Sequence, residues 1–272
     1  MSLVRIALRM ATVMALKGRT LSQDNVLDSE IGVLSEDDQG LNINLRRKGR
    51  FIAVYTDDAE ARPDEQRVFH DNGLVNLCIE YGVTDTMVEE VDDPDHPGRK
   101  MKVILPGIPH ADRMHEFYLD LLGRQIRSVL SDGQNEAAEV LRMLILRVVK
   151  VTCERAGSDR KNERVAAQKL TFTVEALQDP QFSADVPQAG PMGRFLALLE
   201  AGDPDDRKLA ALMRAEIPDT PDDVDANRAR LGLTWAELLE LGLGYIPDAD
   251  IDSAWTTTTV EINGADPVEV SN

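Results

Sequence analysis

Apolar residues recur at three- and four-residue spacing near the start of the chain: Leu3, Ile6, Ala7, Met10, Ala11, Met14 and Ala15. That is the stripe of an amphipathic helix. Ser2 stands where an N-cap belongs and Gly18 where a helix stops. Residues 51–56 are rich in β-formers and give the first strand. Residues 73–84 give the second, with Leu74, Asn76, Cys78 and Glu80 on one face and Val75, Leu77, Ile79 and Tyr81 on the other. A helix over about 111–130 carries Met114, Phe117, Tyr118, Leu121, Leu122, Ile126 and Val129 in one stripe. A second, over about 135–151, turns Val140, Leu141, Leu144, Ile145 and Val148 inward; residues 148–153 fit a strand as well, and the pattern does not place that boundary. Residues 165–177 are β-like, with Lys169, Thr171, Thr173 and Glu175 alternating against Leu170, Phe172, Val174 and Ala176. The order predicts an α/β (α+β) domain over residues 1–182, a mixed or antiparallel sheet flanked by helices.

Between these elements, residues 21–49 read as irregular, with an acidic turn at Ser35-Glu36-Asp37-Asp38 and a short basic run at Arg46-Arg47-Lys48. Residues 59–71 form a charged connection. Residues 85–109 read as a long loop around the turn cluster Asp92-Asp93-Pro94-Asp95-His96-Pro97-Gly98. Asp179-Pro180-Gln181-Phe182 closes the first unit. Pro187 and Gly190-Pro191 read as a linker over 183–190. Residues 191–272 then form a small acidic C-terminal domain, with short helices over 195–201, 204–217 and 234–243. Its apolar positions are Phe195, Leu198, Leu212, Trp235, Leu238, Leu239 and Trp255. Asp203 and Thr234 sit at N-cap positions, the latter with Glu237 at capping-box spacing. Residues 256–262 and 267–270 form a hairpin about Asn263-Gly264.

A chain of 272 residues can bury one large core or two smaller ones, and with 4% aromatic residues that core is aliphatic. The two cysteines, Cys78 and Cys153, lie in apolar runs and read as buried free thiols, which fits a reducing cytoplasm. No window approaches the roughly 18 apolar residues of a membrane span. Arg5 and Arg9 interrupt the first apolar run, so it reads as a helix and not a signal peptide. The net charge of -18 argues against binding nucleic acid through a basic surface. Residues 183–272 hold 18 acidic and 6 basic side chains, a net of -12, against -6 for the rest. Such acidity serves solubility, or lets DNA pass without adhering.

The candidate chemistry is thin. His110 and His115 are five apart and do not share a helical face as a zinc pair would; His96 lies in a turn and His70 in a charged connection. Asp203-Asp205-Asp206 and Asp222-Asp223-Asp225 lack the glycine and terminal glutamate of a calcium loop, and helix starts attract Asp without an ion. Leu241-Gly242-Leu243-Gly244 lacks the remainder of a nucleotide-binding loop. There is no Gly-x-Ser-x-Gly elbow, and no His lies near either cysteine in sequence. Glu89 and Glu90 read as solvated surface. No catalytic, cofactor-binding or metal-binding residue is assigned.

The order of short motifs carries more. A helix runs into Ala15-Leu16-Lys17-Gly18-Arg19-Thr20, then Val26-Leu27-Asp28-Ser29, then a strand reading Phe51-Ile52-Ala53-Val54-Tyr55-Thr56-Asp57-Asp58. Later come Leu77-Cys78-Ile79-Glu80, then Leu119-Asp120-Leu121-Leu122-Gly123-Arg124-Gln125-Ile126. Leu170-Thr171-Phe172-Thr173-Val174 and Leu177-Gln178-Asp179-Pro180 follow. This order resembles the phage tail terminator (tail completion) proteins over residues 1–182. The resemblance implies a structural virion protein of the tail and neck, assembled in the host cytoplasm. It implies a homo-oligomeric ring, six copies, seated on the tail tube protein and facing the head–tail connector, with DNA passing through unbound. It implies no enzyme, no cofactor and no membrane. Loops 18–50 and 85–109 are then expected to supply assembly contacts, with Arg46, Arg47 and Lys48 as candidates. The chain departs from the family in length: residues 183–272 are an addition, and 85–109 is insertion-like. The rival readings are a head–tail connector or other neck protein and, from another class, a hydrolase with dispersed catalytic residues.

Overall fold

The computed structural model describes residues 2–29, 35–37, 40–42, 49–61, 67, 69–92, 100–107, 112–156, 166–241, 257–260 and 268–271. In chain order the elements are α1 (Leu3–Leu16), β1 (Val26–Asp28), β2 (Ser35–Asp37), β3 (Gly40–Asn42), β4 (Gly49–Glu60), β5 (Leu74–Asp92), β6 (Lys100–Gly107), α2 (Asp112–Leu130), α3 (Glu136–Met143), β7 (Ile145–Ala156) and β8 (Ala166–Ala176). A 3-10 turn at Ser183–Asp185 leads to α4 (Pro191–Glu200), α5 (Pro204–Ala215), α6 (Asp223–Leu231), α7 (Trp235–Glu240), β9 (Thr257–Val260) and β10 (Val268–Ser271). The chain divides into two units, one of residues 1–65 and 69–220, the other of 66–68 and 221–272.

The larger unit is α+β. Its sheet runs β1-β4-β5-β8-β7, with β6 joined to the far part of β5. β1 is parallel to β4 and the other pairs are antiparallel, so the sheet is mixed. Val75, Leu77, Ile79 and Tyr81 of β5 and Leu170, Val174 and Ala176 of β8 face a core that α1 to α5 complete. The alternation in the sequence therefore marks the buried face of both strands.

α1 forms because its apolar stripe meets this core and both ends are closed. The Ser2 hydroxyl accepts from the Arg5 amide, and Gly18 follows the helix at φ +71°, the left-handed conformation that ends helices. Buried Thr12 returns its hydroxyl to the Leu8 carbonyl, so its polar atom is satisfied. Asn135 caps α3 by accepting from Ala138 and donates to the Ala15 carbonyl at 2.9 Å, tying α3 to the end of α1. α2 lies close over β5 at Gly123, where a Cβ would stand 2.5 Å from the Tyr81 hydroxyl.

Several expectations are corrected. Residues 85–109 are not one loop: β5 runs on to Asp92 and pairs with β6 from Asp85↔Gly107 to Asp92↔Lys100. Residues 21–49 contain β1, and Ser35–Asp37 pairs with Gly40–Asn42 instead of forming a bare turn. The helix predicted over 135–151 ends at Met143 and the chain continues as β7, because the β-branched Val148, Val149 and Val151 favour extended backbone. Phe117 points to solvent, 58% exposed. Cys78 is buried but Cys153 is exposed; both are free.

The boundary at 183–190 also moves. Gly190 is the N-cap and Pro191 the first residue of α4, so this Gly-Pro pair starts a helix. α4 packs Met192, Phe195, Leu196 and Leu199 into the main core. Each such side chain is worth roughly 1.5–3 kcal/mol when fully buried, which holds α4 to the larger unit. The division falls instead between Thr220 and Pro221.

In the smaller unit α6 is capped by Asp222 and ends at Gly232, φ +64°. α7 opens with the expected capping box between Thr234 and Glu237. Arg228 stacks over Trp235 at 4.9 Å. Arg67 reaches Glu237 at 2.5 Å. β9 and β10 form the predicted antiparallel pair; Asn263, Gly264 and Trp255 lie outside the described residues. Leu212, read as a core position of a C-terminal domain, is 64% exposed on α5 of the larger unit.

Candidate functional site

The sheet's second face, away from α1 to α5, is where the larger unit presents functional groups. At one end it is apolar: Leu27, Phe51 and Ala53 form a small buried cluster. Gly82 makes room for it, since a Cβ there would lie 2.7 Å from the Phe51 ring. Farther along, the register brings polar side chains into rows. Tyr55 stands opposite Cys78, Ala53 opposite Glu80, and Glu80 opposite Lys169. The Tyr55 hydroxyl donates to Glu80 at 2.6 Å, and the Lys169 ammonium lies 5.3 Å from the Tyr55 ring and 3.8 Å from Asp57. Thr173 donates to Asn76 at 2.8 Å, and Arg147 of β7 pairs with Glu175.

Burial and the Glu80 carboxylate hold the Tyr55 phenol protonated far above its ordinary range. Burial pushes the Cys78 thiol up as well, with Thr171 partly opposing. Burial raises the Tyr81 phenol on the core side, where it donates to Gln168. None of these three groups is an activated nucleophile or base near neutral pH. The face is hydrogen-bonded, with Leu27, Phe51, Ala53 and Cys78 buried within it.

A second feature is an open cleft of about 650 Å³ at the start of α1, lined by Arg5, Phe69, His70, Asn72, Asp179 and Glu216 among others. Its floor is the Asp179 carboxylate. One oxygen accepts from Ser2 Oγ at 2.6 Å and the Val4 amide at 3.0 Å; the other accepts from the Leu3 amide at 2.9 Å. Asn72 adds a contact at 3.1 Å and also donates to the Leu177 carbonyl. The positive end of α1 is thus filled by an internal carboxylate. Ser2 and Asp179 lie at opposite ends of the segment that carries the family resemblance, and sequence gave no signal that they meet.

The acidic clusters act as caps. Asp203 accepts from the amides of Asp205 and Asp206, which holds its carboxyl below the usual range, and Asp222 accepts from Asp225. Among the described residues no group of three or more His, Cys, Asp and Glu side chains could hold a metal ion. His70 is exposed on the cleft and His115 falls on α2; His96 and His110 lie outside the described residues. Arg46, Arg47 and Lys48, the candidate assembly contacts, also lie outside them. Glu89 and Glu90 fall on the β5 portion paired with β6. Among the described residues no helix is long and apolar enough to cross a membrane.

No protein-family model and no curated protein matches this chain.

Proposed function

We propose that this chain is a subunit of the ring that terminates a phage tail tube at its head-proximal end. The carrying observation is that the first and last motifs of the resemblance are joined through Asp179. That carboxylate fixes the start of α1 to the segment following β8. The motifs between them fall on four separate elements in chain order: 51–58 on β4, Leu77 to Glu80 on β5, Leu119 to Ile126 on α2 and Leu170 to Val174 on β8. In this reading the protein does mechanical work. Six copies close by heterologous contacts, the ring seats on the tail tube protein, and the head–tail connector docks above it. The β5–β6 hairpin and the basic run at Arg46, Arg47 and Lys48 supply contacts to neighbours or tube. The net charge of -18 keeps the passing duplex from adhering. The acidic residues 221–272 decorate the periphery, because six such units would crowd a narrow bore.

The test is tube assembly. Purified tail tube protein polymerised with this chain is expected to give tubes capped at one end and halted in growth. Tubes that lengthen without capping, at any ratio of the two proteins, reject the reading.

A further inference from the structure

β7 ends the main sheet. β8 lies on one side of it and, among the described residues, no strand lies on the other. Natural edge strands are kept short, bulged or charged, because a free ladder recruits other strands. This one is 12 residues long and exposes four aliphatic side chains: Leu146 (60%), Val148 (53%), Val149 (49%) and Val151 (43%). Irregularities interrupt its register at Leu146 and Val149, but from Lys150 to Ala156 the pairing with β8 is unbroken. The regular, usable edge is therefore 150–156.

We propose that this edge pairs antiparallel with the same edge of a second copy of the chain, about a two-fold axis at Thr152. The register follows from geometry and charge. A two-fold axis perpendicular to a sheet keeps every side chain on its own face, so one residue must stand opposite itself. Centring on Lys150 or on Glu154 sets like charges directly opposite. Centring on Val151 sets Lys150 against Thr152 and, across the irregularity at Val149, offers Glu154 only Arg147, which is already paired with Glu175. Centring on Cys153 sets Glu154 against Thr152 and Lys150 against Ala156. Centring on Thr152 sets Lys150 opposite Glu154 twice, once on each side of the axis. Opposite charges and β-branched neighbours stabilise directly facing pairs, and like charges destabilise them. Neither Lys150 nor Glu154 has an ion-pair partner among the described residues.

The two faces of the joint also match. Lys150, Thr152 and Glu154 stand opposite Thr173, Thr171 and Lys169 of β8 and so share the polar face. Val151 and Cys153 stand opposite Phe172 and Leu170 on the helix side. The joint lays Val151 against Cys153 of the second copy beside the half-buried Phe172, and covers aliphatic surface that the single chain leaves in water. It is an isologous contact, distinct from the heterologous contacts of a closed ring. It belongs to the free protein and does not depend on the ring reading.

Sedimentation velocity on the full chain tests it. A joint this small is weak by the standards of protein interfaces, so mass is expected to rise with concentration from one to two copies of the 30.1 kDa chain. Lys150→Glu sets like charges opposite at both positions and is expected to weaken association roughly tenfold or more. Adding Glu154→Lys restores it, which separates a lost contact from a lost fold. Disulfide trapping fixes the register. Residues directly opposite in an antiparallel pair have Cα atoms about 4.5–5.5 Å apart, within disulfide reach. Thr152→Cys with Cys153→Ser is therefore expected to oxidise to a covalent dimer. In the wild type the two Cys153 Cα atoms are offset to roughly 8 Å and do not bridge. A monomer at every concentration overturns the proposal. So does association unchanged by Lys150→Glu, wild-type cross-linking through Cys153, or a ring-sized particle in which Thr152→Cys does not cross-link; the last would leave the ring reading standing.

Discussion

Replacing Asp179 by alanine removes the carboxylate that closes the start of α1. The Leu3 and Val4 amides lose their acceptor, Ser2 Oγ loses its partner, and Asn72 keeps only the Leu177 carbonyl. Loss of a helix cap costs about 0.5–2 kcal/mol. Loss of a negative charge at a helix N-terminus costs about 0.3–1 kcal/mol more. Asp179→Ala is therefore expected to destabilise the larger unit by about 1–3 kcal/mol, and Asp179→Asn by about half as much, since one amide oxygen can still accept. In urea, the unfolding midpoint followed by circular dichroism should fall with no change of slope, because the surface exposed on unfolding is the same. In a thermal scan a loss of about 2 kcal/mol corresponds to about 4–8 °C for a unit of this size. An Asp179→Ala protein within about 0.5 kcal/mol of wild type would refute the account of how α1 is held.

Asn135→Ala should cost about 2–4 kcal/mol, measured the same way, because it removes the α3 cap and leaves the Ala15 carbonyl without its buried donor. The Glu237 carboxyl is held at about 2, first by the Thr234 amide and then by Arg67 and the Thr234 hydroxyl. Its folded value lies below its ordinary 4.5, so its contribution to α7 is present above about pH 4.5 and is lost as pH falls through 2. A carboxyl NMR titration should show this and show the value rising in Arg67→Ala; a Glu237 titrating at 4.5 in the wild type contradicts it. Reversing the charges of Arg46, Arg47 and Lys48 should impair assembly on tubes without lowering the melting temperature, and normal capping by that variant counts against them as contacts.

Much of the sheet was legible because its signals are local. The alternation in β5 and β8 reflects one face packed on helices and one facing away, and Ser2, Asp203, Thr234 and Glu237 cap as their spacing predicts. What sequence hid was set by tertiary context. The end of α3 at Met143 falls inside a continuous apolar run, where a helical stripe and a strand look alike. The far part of β5 lacks alternation, and its backbone ladder with β6 carries it past Thr84. Gly190-Pro191 fits a linker and a helix start equally well; burial of Phe195 and Leu199 in the main core decides for the latter. The Asp179 contact spans more than 170 residues and leaves no trace in spacing. The rows of the sheet's second face were legible only as polar positions on strands, since which rows meet depends on register.

The ring reading is tested most directly by a reconstruction, at side-chain resolution, of the tail neck in virions purified from cells that express this chain. One closed ring of six copies on the last ring of tube protein, between tube and connector, is the predicted result. Tails whose tube meets the connector with no density for this chain would contradict it.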